Sequence, residues 1–256
     1  LKICALDFES TGVDVATARV IEIGAALYDS DRRAVLATLA ILVIPPSTEI
    51  PPEITELTGL TPEDLRQFGL LPAEAFARLA SFVKQGEVES FVGHNCTTFD
   101  APLLRAEIKR CVAAPQLAPL TALPWIDTIS DLDPRRLKPG GSMRLSYLAA
   151  DHGFLNPFPH RALGDCLTVL KILEQHPLDV VLERARSPLI VLEAVGTFEQ
   201  NEAKKSLGFR WEKVDTGEVF PKKWVKLVKA CDRPELEARA KELRLRLTEA
   251  RRQVAA

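Results

Sequence analysis

Three apolar segments crowd the start of this chain, over residues 2–8, 19–28 and 34–44. Each is rich in Val, Ile, Leu and Ala, and Asp, Gly and Arg turn signals separate them. They predict three successive β-strands in an antiparallel meander. Helical patterns then alternate with short apolar runs. Thr61-Pro62-Glu63-Asp64 supplies an N-cap residue, a proline in the first turn and two acids beside it. Helices are expected over residues 73–84 and 101–112, the second because Leu103, Leu104, Ile108, Cys111 and Val112 recur at helical spacing. Residues 88–93 and 125–129 predict short strands, and residues 145–152 and 162–175 predict helices. A meander followed by αβα units specifies an α/β layer fold whose sheet holds both parallel and antiparallel neighbours.

The character changes after Pro177. Residues 178–186 predict a helical linker, residues 189–195 a strand, residues 201–208 a short helix with a glycine stop, and residues 209–214 and 223–228 two strands around Asp215-Thr216-Gly217-Glu218. A closing charged helix is expected, because Leu236, Ala240, Leu243, Leu247, Ala250 and Val254 would form one apolar stripe that packs on this module or pairs with a protein partner. The expected organisation is therefore a domain over residues 1–177 and a small basic α+β module over residues 178–256.

With 256 residues, 46% of them hydrophobic, the chain can bury a sizeable core. Its apolar runs are too short to cross a bilayer, and no charged-then-apolar leader precedes the first strand, so a soluble, cytoplasmic protein is expected. Cys4, Cys96, Cys111, Cys166 and Cys231 are odd in number, widely spaced and free of any CxxC pair. They read as reduced thiols, which argues against a disulfide scaffold or a thiolate metal site. Charge is uneven: residues 1–187 hold 18 Lys and Arg against 24 Asp and Glu, whereas residues 188–256 hold 15 against 11. An acidic body joined to a basic tail suits a cation-binding cleft beside a module that attracts phosphates.

On a strand, side chains two apart point the same way, so Asp7 and Glu9 project together from the end of the first one. Adjacent acids repel unless solvated or neutralised, and hard oxygen ligands suit Mg²⁺ or Mn²⁺. An isolated Asp-x-Glu is more often a pair of surface acids. Here it opens Asp7-Phe8-Glu9-Ser10-Thr11-Gly12, and this segment resembles the first motif of the DEDDh 3′→5′ exonucleases, the DnaQ-like or ribonuclease T superfamily. The stretch from Ile50 to Thr61 resembles the family's connector into a helix. Gly93-His94-Asn95-Cys96-Thr97-Thr98-Phe99-Asp100 is similar to its second motif. Trp125-Ile126-Asp127-Thr128 is similar to a structural strand, which leaves Asp127 outside the catalytic set. His160-Arg161-Ala162-Leu163-Gly164-Asp165 has the His-x4-Asp spacing of the DEDDh branch. Any one of these matches many chains, but their occurrence in order across roughly 165 residues makes coincidence improbable.

The resemblance covers residues 1 to about 176 and implies a ribonuclease H-like fold, a mixed five-stranded sheet flanked by helices. It implies metal ligation by Asp7, Glu9, Asp100 and Asp165, two Mg²⁺ or Mn²⁺ ions, and His160 as the general base. Histidine titrates near neutral pH, which suits it to take a proton from an attacking water. His94 is expected as a turn residue rather than a ligand. Ser10, Thr11, Gly12, Asn95, Arg144 and Phe158 are expected to touch substrate, and the cations Arg135, Arg136 and Lys138 lie on the same Gly-rich loop as Arg144 or beside it. Phe8 should face the core. The implied activity releases 5′-mononucleotides from a 3′ end, with DNA expected in repair or proofreading. An exoribonuclease is the alternative, and a non-catalytic binding or assembly module a more distant one. In the tail, aromatics interleaved with cations predict accessory nucleic-acid contacts by Lys204, Lys205, Arg210, Trp211, Lys223 and Trp224, although such aromatics also serve as the core of a small domain.

Overall fold

The computed structural model describes residues 1–46, 49–111, 115–213 and 222–250. The expected contributions of Val112, Val214, Val254 and the Asp215–Glu218 turn lie outside these residues. Strands β1 (Lys2–Ser10), β2 (Val20–Asp29) and β3 (Ala34–Leu42) form the antiparallel meander, and β4 (Ser90–Gly93) and β5 (Trp125–Asp127) add in parallel beside β1. The sheet order is β3-β2-β1-β4-β5, the mixed five-stranded sheet that the sequence specifies. β2 is buried along its whole length, and β1 is largely so, because helices cover the sheet. No helix among the described residues is long and apolar enough to cross a membrane.

Around the sheet run α1 (Pro52–Thr58), α2 (Pro62–Phe68), α3 (Pro72–Gln85), α4 (Asp100–Arg110), α5 (Ala118–Ala122), α6 (Leu145–Asp151) and α7 (Ala162–Leu173). Thr61 caps α2 as expected, in a reciprocal capping box with Asp64. The sequence pattern showed neither α1 nor α5, whose five to seven residues are too short for a helical period to emerge. A core of Leu6, Phe8, Ile23, Phe76, Leu79, Phe91 and Leu103 fills the space between one sheet face and the helices. Phe8 meets Phe76 edge to face at 6.2 Å, so it points away from the acids on either side of it.

The chain divides into two compact units, Leu1–Leu182 and Glu183–Ala256, within helix α8 (Leu178–Arg186) rather than just after Pro177. The second unit holds β6 (Leu189–Val195), α9 (Asn201–Ser206), β7 (Arg210–Lys213), β8 (Lys222–Lys229), α10 (Arg233–Glu242) and β9 (Arg246–Glu249), with sheet order β7-β8-β6-β9. The expectation of a long closing helix is corrected. α10 stops at Glu242 in a Schellman turn: Leu245 N donates to Ala240 O at 2.9 Å, Arg244 N to Lys241 O at 3.0 Å, and Arg244 takes φ +57°. β9 then pairs with β6, and Leu245 and Leu247 turn inward with period two. Pairing an open sheet edge wins over helix continuation here. The stripe therefore breaks at Leu243, and with it goes the continuous helical face proposed for a protein partner.

One close approach sets the position of the catalytic helix. The backbone of Ala162 and Leu163, in the first turn of α7, lies directly on Gly24 of β2, where an added Cβ would sit 2.2 Å from Ala162 C and 2.3 Å from Leu163 N. Cys166 Sγ also donates to Gly24 O at 3.2 Å. Only glycine allows this spacing. Gly24→Ala should therefore push α7 off the sheet, costing about 1–3 kcal/mol or more of stability. The expected readout is a lower melting temperature together with a lower kcat, and a variant that melts and turns over like wild type would refute the close packing.

Candidate active site

The sheet places the acids before any ligand is considered. Asp7 and Glu9 leave the same side of β1 near its end, and Asp165 comes from the first turn of α7, which Gly24 seats against β2. One carboxylate oxygen from each of Asp7, Glu9 and Asp165 lies within 4.8 Å of the others. Asp100, the first residue of α4, is only 3% exposed and stands apart from that mutually close trio. Its Oδ1 accepts the Phe8 N–H at 3.1 Å, which ties α4 to the strand segment between the two acids.

Confinement raises proton affinity throughout the cluster. Burial, then the charges of Asp100, Asp165 and Glu9, pushes Asp7 well above the usual carboxylate range. Glu9 is pushed up to about 7 by burial and by Asp165 and Glu22, against the opposing pull of Arg161. Asp165 is raised to about 6 by burial, although His160 and hydrogen bonds from Asn156 and the His160 backbone work in the other direction. Burial also raises Asp100, opposed by the Phe8 amide. Clustered carboxylates that resist ionisation lack a counter-charge. Their hard oxygens and spacing fit a divalent cation, whose octahedral shell sets neighbouring ligands about 3–4 Å apart.

The loop before α7 is shaped around Asp165. Asn156 Nδ2 donates to Asp165 Oδ1, Phe158 N donates to Asn156 Oδ1 at 3.0 Å, and His160 N donates to Asp165 Oδ2 at 3.3 Å. His160 adopts φ +60°, an uncommon conformation for a non-glycine residue, and its imidazole is left exposed at the cleft. A residue missed in the sequence anchors the other side. Glu22, opposite Glu9 in the β1–β2 register, is 2% exposed and accepts from Arg161 Nη2 at 2.8 Å and from Ala162 N at 3.0 Å. It thus caps α7 from a neighbouring strand. The signal available was a lone acid between Ile21 and Ile23, since a carboxylate in a buried strand requires a partner.

Asp127 is structural, as expected. Its buried carboxylate accepts Asn95 N at 2.9 Å, Thr97 N at 3.0 Å, Thr97 Oγ1 at 2.7 Å and Ile129 N at 3.0 Å, clamping the turn that leads into α4. His94 Nδ1 lies 2.8 Å from Thr128 Oγ1, a side-chain contact that holds it at the cleft wall. Burial keeps it below the ordinary imidazole value.

Asp7, Glu9, Asp165 and His160 open into a cleft of about 850 Å³, which Asn95 and Arg144 also line. Ser10, Thr11, Gly12 and Phe158 do not line it. The Ser10 hydroxyl donates to Gly12 O at 2.7 Å, Thr11 Oγ1 accepts Arg19 N at 2.9 Å, and Phe158 is 66% exposed beside the loop. Of the loop cations, Arg135 pairs with Asp133 at 2.9 Å, Lys138 with Asp151 at 3.3 Å, and Arg136 donates to Gln175 O at 3.2 Å. Arg144 is the one among them that faces the cleft.

Fold, acids and cleft together define a metal-dependent nuclease of the ribonuclease H-like class. Residues 4–173 match the exonuclease family RNase_T, and the chain belongs to that family, with the His160–Asp165 spacing of its DEDDh members. A stretch of 111 residues is 32% identical to the DNA polymerase III subunit epsilon of Treponema pallidum, covering 43% of this chain and 48% of that one. The chain thus spans about half the length of this curated relative. Escherichia coli exonuclease I in complex with a dA16 oligonucleotide superposes with a TM-score of 0.63 at 18% identity, covering 96% of this chain and 68% of that one. The nuclease domain of 3′hExo, a DEDDh family member bound to rAMP, gives 0.56 at 18% identity over 68% of this chain and 90% of that one. At these identities the two structures speak for the fold.

Raised carboxylate pKa values carry a sign that can be measured. In the metal-free protein these acids bind protons more tightly folded than unfolded. The stability they contribute is present below the ordinary carboxylate range and is lost as pH rises through about 6 and 7. The melting temperature in EDTA should therefore fall between pH 5 and 8, and Asp7→Asn should flatten that fall while abolishing activity. A melting temperature that rises over this window, or an Asp7→Asn variant less stable than wild type at pH 8, would contradict the site's electrostatics.

Proposed function

We propose that this exonuclease works from the 3′ end, hydrolysing phosphodiester bonds in DNA single strands or at DNA 3′ ends with two Mg²⁺ or Mn²⁺ ions and releasing 5′-mononucleotides. The observation that carries the reading is the confined Asp7–Glu9–Asp165 cluster with His160 exposed at the same cleft. Asp7 would serve both cations, Glu9 and Asp165 the one on the nucleophile side, and Asp100 the one on the leaving-group side. When bound, such ions stabilise charge on the phosphoryl group and lower the pKa of an attacking water.

The chain's own residues supply the rest. His160, held in place by the Asp165–Asn156 loop, accepts the proton of the attacking water. Arg144 offers a cation to a substrate phosphate, and Asn95 a side chain to the terminal nucleotide. A DNA substrate, in repair or proofreading, is favoured by the relative that is a DNA polymerase subunit. The rAMP-bound neighbour keeps an exoribonuclease as the second reading, since the two differ only in contacts to the 2′-OH.

The test is a time course on 5′-labelled single-stranded DNA, duplexes with matched or mismatched 3′ ends, and RNA, with Mg²⁺ or Mn²⁺. The expected outcome is a ladder that shortens from the 3′ end of DNA, abolished by EDTA and by Asp7→Ala, and reduced about 10²- to 10⁴-fold by His160→Ala, the usual worth of a general base. Faster loss of RNA would favour the second reading. Internal fragments, or no metal-dependent cleavage, would refute both.

A further inference from the structure

The second unit contains a cavity of about 920 Å³ with no role in the chemistry above, bounded by the end of β6, the loop into α9, and strands β7 and β8. Pairing of β7 with β8 sets Trp211 opposite Trp224, with ring centroids 5.6 Å apart and planes inclined at 47°. Trp224 packs onto the unit's core, whereas Trp211 remains 51% exposed. Phe198, which the sequence reading passed over, adds a second open aromatic face at 83% exposure.

An aromatic side chain so exposed would ordinarily sit on a loose loop, but this loop is clamped. Lys204, only 3% exposed, donates through Nζ to Gly196 O at 3.1 Å, Thr197 O at 2.9 Å and Asn201 Oδ1 at 3.2 Å. Gln200 accepts Thr197 N at 2.8 Å and reaches back to Arg244 O at 3.1 Å. Among the described residues no carboxylate forms an ion pair with Lys204, whose ammonium lies 5.9 Å from the centre of the Trp224 ring. A buried charge is costly, and here its hydrogen bonds hold the loop that presents Phe198. Of the lysines that line the cavity, Lys204 and Lys222 are the two with no ion pair among the described residues, and Glu199 lines it beside them. Of the expected contacts, Lys204 and Trp224 line the cavity while also building it, Lys204 through its hydrogen bonds and Trp224 through its packing on the core. Arg210 lines a different, smaller depression with Glu212 and Lys226. Lys205 and Lys223 are paired with Glu202 and Glu193.

We propose that this cavity binds a segment of single-stranded nucleic acid, with bases stacked on Trp211 and Phe198 and a backbone phosphate drawn to Lys222 and the charge of Lys204. Open aromatic faces beside the Lys204 and Lys222 ammoniums match the alternation of base and phosphate along a single strand. The ligand class rests on the nucleic-acid chemistry of the catalytic unit, but the cavity's test does not depend on cleavage.

Binding of fluorescein-labelled dT20 to the full chain in EDTA, followed by anisotropy, measures the site directly. Phe198→Ala and Trp211→Ala should each weaken binding about fivefold or more, the usual effect of removing one stacking partner. The double variant should lose more, Trp211→Phe should largely restore affinity, and Leu155→Ala on the other unit should bind like wild type. Thermal melts of the same variants check that folding is intact. Affinities of the aromatic variants within twofold of wild type would overturn the proposal and leave the cavity to a protein segment. Absence of saturable binding by wild type would overturn it as well. Loss of the 3′ ladder with these results intact would instead overturn the catalytic reading alone.

Discussion

Repulsion among Asp7, Glu9 and Asp165 is the constraint on which the rest of this structure turns. Like charges with oxygens inside 4.8 Å do not gather by themselves, and the fold must hold them there. A strand fixes the first two by its two-residue repeat. The third arrives on a helix that can approach only because Gly24 lacks a side chain. The strain of this arrangement is what gives the cleft its appetite for a divalent cation.

Several buried polar groups serve this placement without touching substrate. Glu22 holds Arg161 and the first free amide of α7, so the same carboxylate that crowds the cluster also fixes its helix. Asp127 gathers four donors from the turns around β5, and Asp100 takes the Phe8 amide. Glu22 and Asp127 are carboxylates satisfied by several donors, whereas among the described residues Asp7 and Glu9 accept no hydrogen bond.

The five-stranded sheet and the gathering of Asp7, Glu9 and Asp165 were legible because both rest on short-range patterns: alternation along β1 and β2, and fixed spacings such as His160 to Asp165. Glu22 was not legible as a helix cap, since its partner lies 140 residues away. The closing helix failed for a related reason. Leucines at 243, 245 and 247 satisfy a strand's period as well as leucines at 236, 243 and 247 satisfy a helix's, and the open edge of β6 decided between them. In the accessory module, composition pointed to aromatics and cations, but only the structure separates Lys204 and Trp224, which are largely taken up in building the cavity, from Trp211 and Phe198, which line it exposed.

Calorimetric titration of Mn²⁺ into the metal-free protein, repeated in buffers of different ionisation enthalpy, tests the central claim most directly. Glu9 and Asp165 are pushed up to about 7 and about 6, so cation binding near pH 6.5 should release protons, and the share released by these two acids should shrink as pH rises past 7. Asp7→Asn should abolish both the binding and the proton release. Tight Mn²⁺ binding without proton release at pH 6.5, or binding unaffected by Asp7→Asn, would contradict the account.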